Sequence, residues 1–220
     1  MESNSARNYE DTQQVNLEGL DSREIVNLLT PEQKQSVLVD MLKDLSPGRK
    51  PLDVFLAMAE KMVLTCIEVA PLRTNPETGR TEVLLTQRPE EDVTWVGQWH
   101  VPGAVILSSD DNSRSTKEGG PYKDAVDRVF GGELNNSIRP ISPQVEMYTE
   151  FRDTPRSKEL TVVTYFEVEG EPIVGAFFPI GDTIEGVPGK VIDHQNKFII
   201  DCARDFEAKK NASRTSSLQQ

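Results

Sequence analysis

The first quarter of the chain changes from polar residues to a helical pattern of apolar ones. Residues 1–20 are mostly polar and offer little apolar surface to offset the entropy that ordering would cost. From Asp21 onward apolar residues recur at every third or fourth position, which is the spacing of one helix face. Thr30-Pro31-Glu32 joins an N-cap residue to a proline suited to a first helical turn. The pattern predicts a flexible tail over 1–20 and a helical extension over 21–61, with a stop and restart at Thr30.

The rest of the chain alternates strand-like and helix-like patterns. Their periods predict strands over 62–69, 81–87, 145–151, 160–168 and 177–180, and helices over 122–134 and 194–206. In the first of these helices, Gly131-Gly132 indicates that the helix either ends there or is strained. A polar turn at 75–79 joins the first two strands into a hairpin. This order predicts a mixed α+β domain over 62–208, in which helices pack over a β-sheet. The last residues, 209–220, are polar and predict a second flexible tail.

The charge and the cysteine content narrow the classes of function. The 220 residues include 24 Lys and Arg against 36 Asp and Glu, a net charge of −12, so the chain lacks the basic surface that binds nucleic acid non-specifically. Small anionic substrates remain compatible, because a divalent cation inverts the electrostatics of an acidic cleft. Cys66 and Cys202 are too few for a disulfide framework. Without a membrane-spanning apolar run or a secretory signal pattern, we expect a cytoplasmic protein with no membrane contact.

Several segments together carry a family resemblance. Residues Val83–Ala104 read VLLTQRPEEDVTWVGQWHVPGA and contain the turn GQWHVPGA, and residues Asp124–Leu134 read DAVDRVFGGEL. With two downstream segments in the same order, they resemble the Nudix hydrolase family from about Met62 to Glu207. The resemblance implies a Nudix-like mixed β-sheet flanked by helices. It also implies a chemistry in which Mg²⁺ or Mn²⁺ assists water attack on the pyrophosphate of a nucleoside diphosphate linked to another group.

The segment that resembles the family's catalytic helix departs from the family motif, the Nudix box. In that motif, carboxylates at positions i, i+3 and i+4 share one helix face and hold the cation. Those positions are Val129, Gly132 and Glu133 here, so a single carboxylate is kept. The motif's first glycine falls on Ala104, about ten residues too far from the box arginine, and Glu118 is the acid nearest to the displaced leading glutamate. The resemblance therefore implies hydrolysis that is weak or lost.

The catalytic and metal-binding candidates each have a structural alternative. Glu133 and Glu118 are the predicted metal ligands, and the alternative for each is a solvated charge. Arg128, which with Glu133 makes up the predicted catalytic pair, matches the box arginine that supports the family's catalytic loop. Its alternative is an i, i+4 pair with Asp124. Four acids near the motif either rebuild a metal site or are surface charges: Asp110, Asp111, Asp124 and Asp127.

The candidates for substrate binding are two arginines and a tryptophan. Arg88 and Arg156 have side chains that donate bidentate hydrogen bonds to phosphate, or they are solubilising surface charges. Trp99, like the neighbouring Trp95, has an aromatic face on which a nucleobase could stack. Because Trp99 also belongs to the turn that the family shares, its alternative role is packing.

Two functional hypotheses remain open at this point. The first is a Nudix-like pyrophosphohydrolase of reduced activity that acts on a nucleotide-like small molecule with Mg²⁺ or Mn²⁺. The second is a non-catalytic module of the same fold that binds a nucleotide-like ligand or a protein partner, with the helices at 21–62 mediating self-association into a homodimer. The fold does not decide between them, because one fold supports many functions.

Overall fold

The chain divides into two compact units, Met1–Ser46 and Pro47–Gln220. The computed structural model describes residues 22–44, 52–110 and 122–217. None of the helices in these residues is long and apolar enough to cross a membrane. The domain limits at residues 62 and 208 stay a prediction.

The first unit contains two helices, α1 (Ser22–Leu28) and α2 (Pro31–Asp44). The residue between them, Thr30, forms a reciprocal cap with Gln33. The Thr30 hydroxyl oxygen accepts a hydrogen bond from the Gln33 N–H at 3.3 Å, and the Gln33 side-chain oxygen accepts one from the Thr30 N–H at 2.9 Å. The predicted stop and restart at Thr30 is confirmed.

The second unit is built around one mixed β-sheet with helices beside it. Its strands in the described residues are β1 (Leu64–Thr74), β2 (Thr81–Gln87), β3 (Trp99–His100), β4 (Gly103–Val105), β5 (Ile138–Pro140), β6 (Val145–Asp153), β7 (Lys158–Gly170) and β8 (Ala176–Pro179). Its α-helices are α3 (Leu52–Ala59), α4 (Lys123–Arg128) and α5 (Asp193–Ser217).

The sheet mixes parallel and antiparallel pairs. β1 and β7 run parallel at its centre; β1 also pairs antiparallel with β2 and β4. β7 pairs antiparallel with β5 and β6, and β2 with β3 and β8. The predicted hairpin of β1 and β2 is confirmed, and so is the predicted α+β class with a mixed sheet flanked by helices.

Apolar side chains form one core layer on each face of the sheet. Successive strand residues point to opposite faces, so Ile67 and Val69 join the layer that contains α4, whereas Ala70 and Leu72 join the layer that contains α5. In the α5 layer, Phe198 is fully buried. Glu68, on the same face of β1 as Ala70 and Leu72, therefore lies at a polar end of the α5-side face.

The last helix is longer than the sequence predicts. α5 continues to Ser217, so the helix end predicted at Phe206 is wrong, and the tail predicted over 209–220 is wrong as far as Ser217. Lys210 supplies a physical reason, because its Nζ donates a hydrogen bond to Glu167 Oε1 of β7 at 2.6 Å. Contacts with the sheet extend a helix beyond the limit that its polar composition indicates.

Candidate functional site

The segment after α4 is wound as a π-helix over Val129–Glu133 rather than as an α-helix. The wider winding is seen directly in a hydrogen bond from the Leu134 N–H to the Val129 carbonyl oxygen at 3.0 Å, five residues back. Two asparagines in the left-handed conformation, Asn135 and Asn136, both at φ 52°, end the segment. The single α-helix predicted over 122–134 is therefore wrong in its second half.

This winding separates the three positions that the motif places on one face. Val129 is 1% exposed and packs in the apolar layer beside α4. Gly132 is exposed, and a Cβ added there would meet no atom within 4 Å. Only Glu133 points toward the polar end of the sheet, where it contacts β2 and β4. The expectation that these three positions share one face is wrong, since they face the core, the solvent and the site.

The Glu133 carboxyl group is bound within the fold through both of its oxygens. Oε2 accepts a hydrogen bond from the Gly103 N–H at 3.1 Å, and Oε1 lies 3.0 Å from the Thr86 hydroxyl oxygen. Burial raises the pKa of Glu133 above its ordinary value, and the bonds from Gly103 and Thr86 offset part of that rise. Glu133 is thus a partly buried carboxyl that joins the π-helical segment to two strands.

His100 shares the Thr86 hydroxyl with Glu133, so its protonation state bears on that of Glu133. Burial lowers the pKa of His100 to about 3, so the ring is neutral at pH 7. Its Nδ1 lies 2.6 Å from the Val101 carbonyl oxygen, which only accepts, so Nδ1 carries the ring hydrogen. Nε2, 3.0 Å from Thr86 Oγ1, is then an acceptor, as is Glu133 Oε1 at 3.0 Å from the same hydroxyl. Because Thr86 has one hydrogen, it can bond both acceptors at once only if Glu133 carries a proton.

A second buried carboxyl, Glu68, lies beside Glu133 and was not among the predicted site residues. Glu68 is paired with Gly103 in the sheet, and its Oε2 accepts a hydrogen bond from Gln195 Nε2 of α5 at 3.2 Å. Burial raises the pKa of Glu68 to about 8, against the opposing charges of Arg88 and Arg152. One signal was present in the sequence: Glu68 is the single charged residue in an otherwise apolar strand core.

Gly103 is in close contact with Glu68 and is also hydrogen-bonded to Glu133. A Cβ at this position would lie 2.7 Å from Glu68 Oε2 and 2.9 Å from the Ile67 carbonyl oxygen, which is too close for any side chain. The absence of a side chain leaves room for the Glu68 carboxyl group, while the Gly103 N–H donates to Glu133. The turn residue of the sequence motif is therefore part of the site.

Arg128 holds the loop after β4 rather than facing the site. Both of its terminal nitrogens donate to Asp110, and Nη2 also donates to the Val105 carbonyl oxygen at 2.9 Å. Burial alone would raise the pKa of Asp110, but the bonds from Arg128 and the Leu107 N–H outweigh it and lower that pKa. Arg128 Nη1 also donates a long hydrogen bond to the Asp124 carbonyl oxygen at 3.4 Å. Arg128 is a positioning residue.

The structure brings the two candidate arginines together around Trp95. The guanidinium carbons of Arg88 and Arg156 lie 5.7 Å and 5.3 Å from the centre of the Trp95 ring. Trp99 takes the other role considered for it, since its ring packs edge-on against Phe178 with centres 5.1 Å apart. The aromatic side chain that accompanies the arginines is therefore that of Trp95.

The remaining acidic candidates do not add ligands in the described residues. Glu118 and Asp111 lie outside the described residues. Asp110 is paired with Arg128, and Asp127 with Lys123. Within 22–44, 52–110 and 122–217, no three His, Cys, Asp or Glu side chains are placed to hold one metal ion.

The candidate ligands that the structure describes do not fit a family-type Mg²⁺ or Mn²⁺ clamp. Such a clamp needs several carboxylate oxygens directed at one point. Here Val129 offers no oxygen and faces the core, Gly132 has no side chain, and the Glu133 oxygens are engaged by Thr86 and Gly103. Burial, which favours the neutral form of Glu133, weakens it further as a ligand for a hard cation.

No protein family model matches the chain, and no curated protein matches it. Among solved structures it is similar to the Nudix domain of Shewanella oneidensis NrtR in complex with ADP-ribose, at 18% identity and a TM-score of 0.43, over 71% of this chain and 98% of that one. It is also similar to a MutT Nudix hydrolase from Burkholderia pseudomallei, at 15% identity and a TM-score of 0.44, over 63% and 96% of the two chains.

A third similar structure is the C-terminal domain of mouse MUTYH in complex with human PCNA, at 13% identity and a TM-score of 0.45, over 67% and 91% of the two chains. The Shewanella and Burkholderia structures are both of Nudix proteins. At such low identity these likenesses concern the fold, and the function has to come from the side chains of this chain.

Proposed function

We propose that the second unit contains a Nudix-like domain that binds a nucleotide-like ligand with a diphosphate group, and that its hydrolysis of the ligand is weak or lost. The domain limits we propose are residues 62 and 208, and the ligand site is the polar end of the sheet around Glu68, Gly103 and Glu133. Arg88 and Arg156 are the proposed contacts to the ligand.

A single observation carries this proposal. Glu133, the one carboxyl group retained from the motif, is hydrogen-bonded to other residues of the fold. Its two oxygens contact Thr86 and Gly103, and burial favours its neutral form. A family-type hydrolase needs ionised carboxylates that hold a cation against the departing phosphate. The residues at this site bind and orient better than they activate water, so ligand binding without efficient turnover follows.

Turnover and binding are measured on the same protein with the same compounds. Purified chain is incubated with Mg²⁺ or Mn²⁺ and ADP-ribose, dinucleoside polyphosphates, nucleotide sugars or nucleoside triphosphates. We expect at least one compound to raise the melting temperature without comparable turnover. A ligand at about a hundred times its Kd stabilises the folded state by about 2.7 kcal/mol, which raises Tm by about 5 to 10 °C in a chain of this size.

Two outcomes contradict the proposal in different ways. Metal-dependent turnover that Glu133→Gln abolishes, with Arg204→Gln on the exposed side of α5 as the unaffected control, supports an active hydrolase instead. A chain that neither turns over nor is stabilised by any of the compounds contradicts nucleotide-like binding altogether.

Helix α2 of the first unit favours a further proposal, self-association into a homodimer. Five of its large apolar side chains are exposed: Val37, Leu38, Val39, Met41 and Leu42. We expect the double variant Leu38→Lys with Met41→Lys to shift the protein to monomer in sedimentation velocity, while Gln35→Lys, which adds a charge at an exposed polar position, leaves the dimer intact. A wild-type chain that sediments as a monomer at micromolar concentration contradicts this proposal.

A further inference from the structure

Arg152 is a buried arginine whose hydrogen-bonding capacity is only partly used. It lies on β6 opposite Glu159 of β7, and its side chain is 7% exposed. Its Nε donates to Glu150, and its guanidinium carbon lies 4.9 Å from the centre of the Phe198 ring. Within the described part of the chain, neither Nη1 nor Nη2 donates a hydrogen bond, although Nη2 is close to the same Glu150 oxygen. Buried donors of this kind require an acceptor.

Two more arginines converge on the same end of the sheet. Arg156 donates from Nη2 to Glu159 Oε1 at 2.7 Å, and Arg152 lies opposite the same glutamate in the sheet register. Arg156 and Arg88 both lie over the Trp95 ring. The Nε atoms of both arginines are buried and have no partner among the described residues. Arg88, Arg152 and Arg156 are called the arginine cluster below.

Thr161 lies next to the cluster on the same face of the sheet as Glu159. It lies two residues after Glu159 on β7, so its side chain is on the same face, and its partner residues on the neighbouring strands are Cys66 and Glu150. The Thr161 hydroxyl is fully buried without a partner in the described residues. Of the eight buried side-chain polar atoms without a partner there, five belong to Thr161 and the arginine cluster. Their gathering at one place indicates a ligand site rather than scattered packing defects.

The chemistry of these groups selects the ligand. A guanidinium only donates, in a planar fork that fits two oxygens of a phosphate, and a hydroxyl can complete the set. The three arginine charges are offset by the nearby carboxylates Asp92, Glu150 and Glu159. Binding therefore depends on directed hydrogen bonds from a desolvated cluster more than on net charge.

We propose that the arginine cluster, with Thr161, binds a phosphate or diphosphate group directly and without a divalent cation. This inference rests on the proposed function and names how the same site holds the diphosphate of its ligand. It differs from the family chemistry, in which a cation held by carboxylates contacts the diphosphate. In the described part of this chain Glu133 and Glu68 are engaged within the fold, and arginine side chains take over the contact.

The test uses the full chain and inorganic pyrophosphate in EDTA, at constant ionic strength set with sodium chloride. Binding is followed by isothermal titration calorimetry and by the shift in melting temperature. We expect wild-type protein to bind pyrophosphate in EDTA, and addition of Mg²⁺ not to tighten the binding. Arg152→Lys, which keeps the charge and removes the fork, should raise Kd at least tenfold.

Two further variants keep the test decisive. The Arg88 side chain is more exposed than that of Arg152 and so matters less for folding. Arg88→Lys should therefore also raise Kd, and it remains a test even if Arg152→Lys fails to fold. Arg204→Lys is the matched control, because Arg204 is an exposed arginine of α5 that lies 3.8 Å from Asp182, and it should bind as the wild type does.

Three results overturn the inference: no pyrophosphate binding in EDTA, binding that appears only when Mg²⁺ is added, or binding that Arg152→Lys and Arg88→Lys leave unchanged. If the chain fails this test but is still stabilised by one of the nucleotide compounds, the direct arginine contact is wrong while the proposed function stands. If no compound stabilises it, both are wrong.

Discussion

Val129→Glu is expected to lower the free energy of unfolding of the second unit by about 3 to 5 kcal/mol. Val129 is 1% exposed and packs in the apolar layer beside α4, so the new carboxylate would lose its hydration without gaining a partner. A domain of this kind has only about 5 to 15 kcal/mol of stability. Urea unfolding followed by tryptophan fluorescence should show a midpoint shifted far downward, or no folded baseline.

Gly132→Glu is the matched control for this substitution. Gly132 belongs to the same π-helical segment, but it is exposed and a Cβ there would meet nothing within 4 Å. The same residue introduced three positions away should leave stability unchanged or raise it by up to about 1 kcal/mol, since glycine is a poor helix residue. If Val129→Glu were instead tolerated and created a tighter Mg²⁺ site, the π-helical winding and the face assigned to Val129 would both be wrong.

Glu68→Gln is expected to remove a large part of the stability that the wild type loses as the pH rises from about 5 to 9. The pKa of Glu68 is raised to about 8 in the folded chain from an ordinary value of 4.5, so the folded state holds a proton that the unfolded state has released. The stabilisation is complete below pH 4.5 and is lost as pH rises through about 8. One pKa unit corresponds to about 1.36 kcal/mol, so the variant should gain about 2 to 4 kcal/mol over wild type between pH 5 and pH 9.

The measurement for Glu68→Gln is chemical denaturation of wild type and variant at pH 5, 7 and 9. Glutamine keeps an oxygen that can accept the bond from Gln195 Nε2. Glu146→Gln serves as the control, because Glu146 lies exposed on β6. Parallel pH profiles for wild type and Glu68→Gln would show that Glu68 is ionised in the folded protein, contrary to the buried neutral carboxyl described above.

The sheet and its hairpin could be predicted because their signals are local. The strand predicted over 81–87 matches β2 to the residue, since the turn at 75–79 and the run of apolar residues fix both ends. The end of α5 was missed because it depends on Lys210 meeting Glu167 on a distant strand. A polar composition near a chain end does not contain that information.

The face of Glu133 could be predicted, but those of its neighbours could not. The Gly131-Gly132 pair signalled that the helix either ends or is strained, and both alternatives are compatible with the sequence. Which way the backbone winds is decided by tertiary packing, since Leu134 is fully buried and Asn135 takes the left-handed conformation. A change from α to π winding turns positions i, i+3 and i+4 away from a common face.

The arginine cluster illustrates a different limit. Arg88 and Arg156 were recognisable as phosphate-binding residue types, but Arg152 became a candidate only when the register placed it opposite Glu159 on the buried face of the sheet. Trp95 and Trp99 are both tryptophans of the same segment, so the sequence does not distinguish their roles. Only the contacts with Arg88 and Phe178 show which of the two lies beside the arginines and which packs in the core.

Titration with Mn²⁺ followed by electron paramagnetic resonance tests most directly whether the Glu133 carboxyl group is committed to the fold. Wild type and Glu133→Gln are compared at pH 7. With either protein, Mn²⁺ added at sub-millimolar concentration should give the signal of the free ion. Glu133→Gln should change stability by no more than about 1 kcal/mol, because its amide oxygen can accept from the Gly103 N–H and its amide nitrogen can donate to Thr86. A stoichiometric Mn²⁺ site in the wild type that disappears in Glu133→Gln would contradict the assignment.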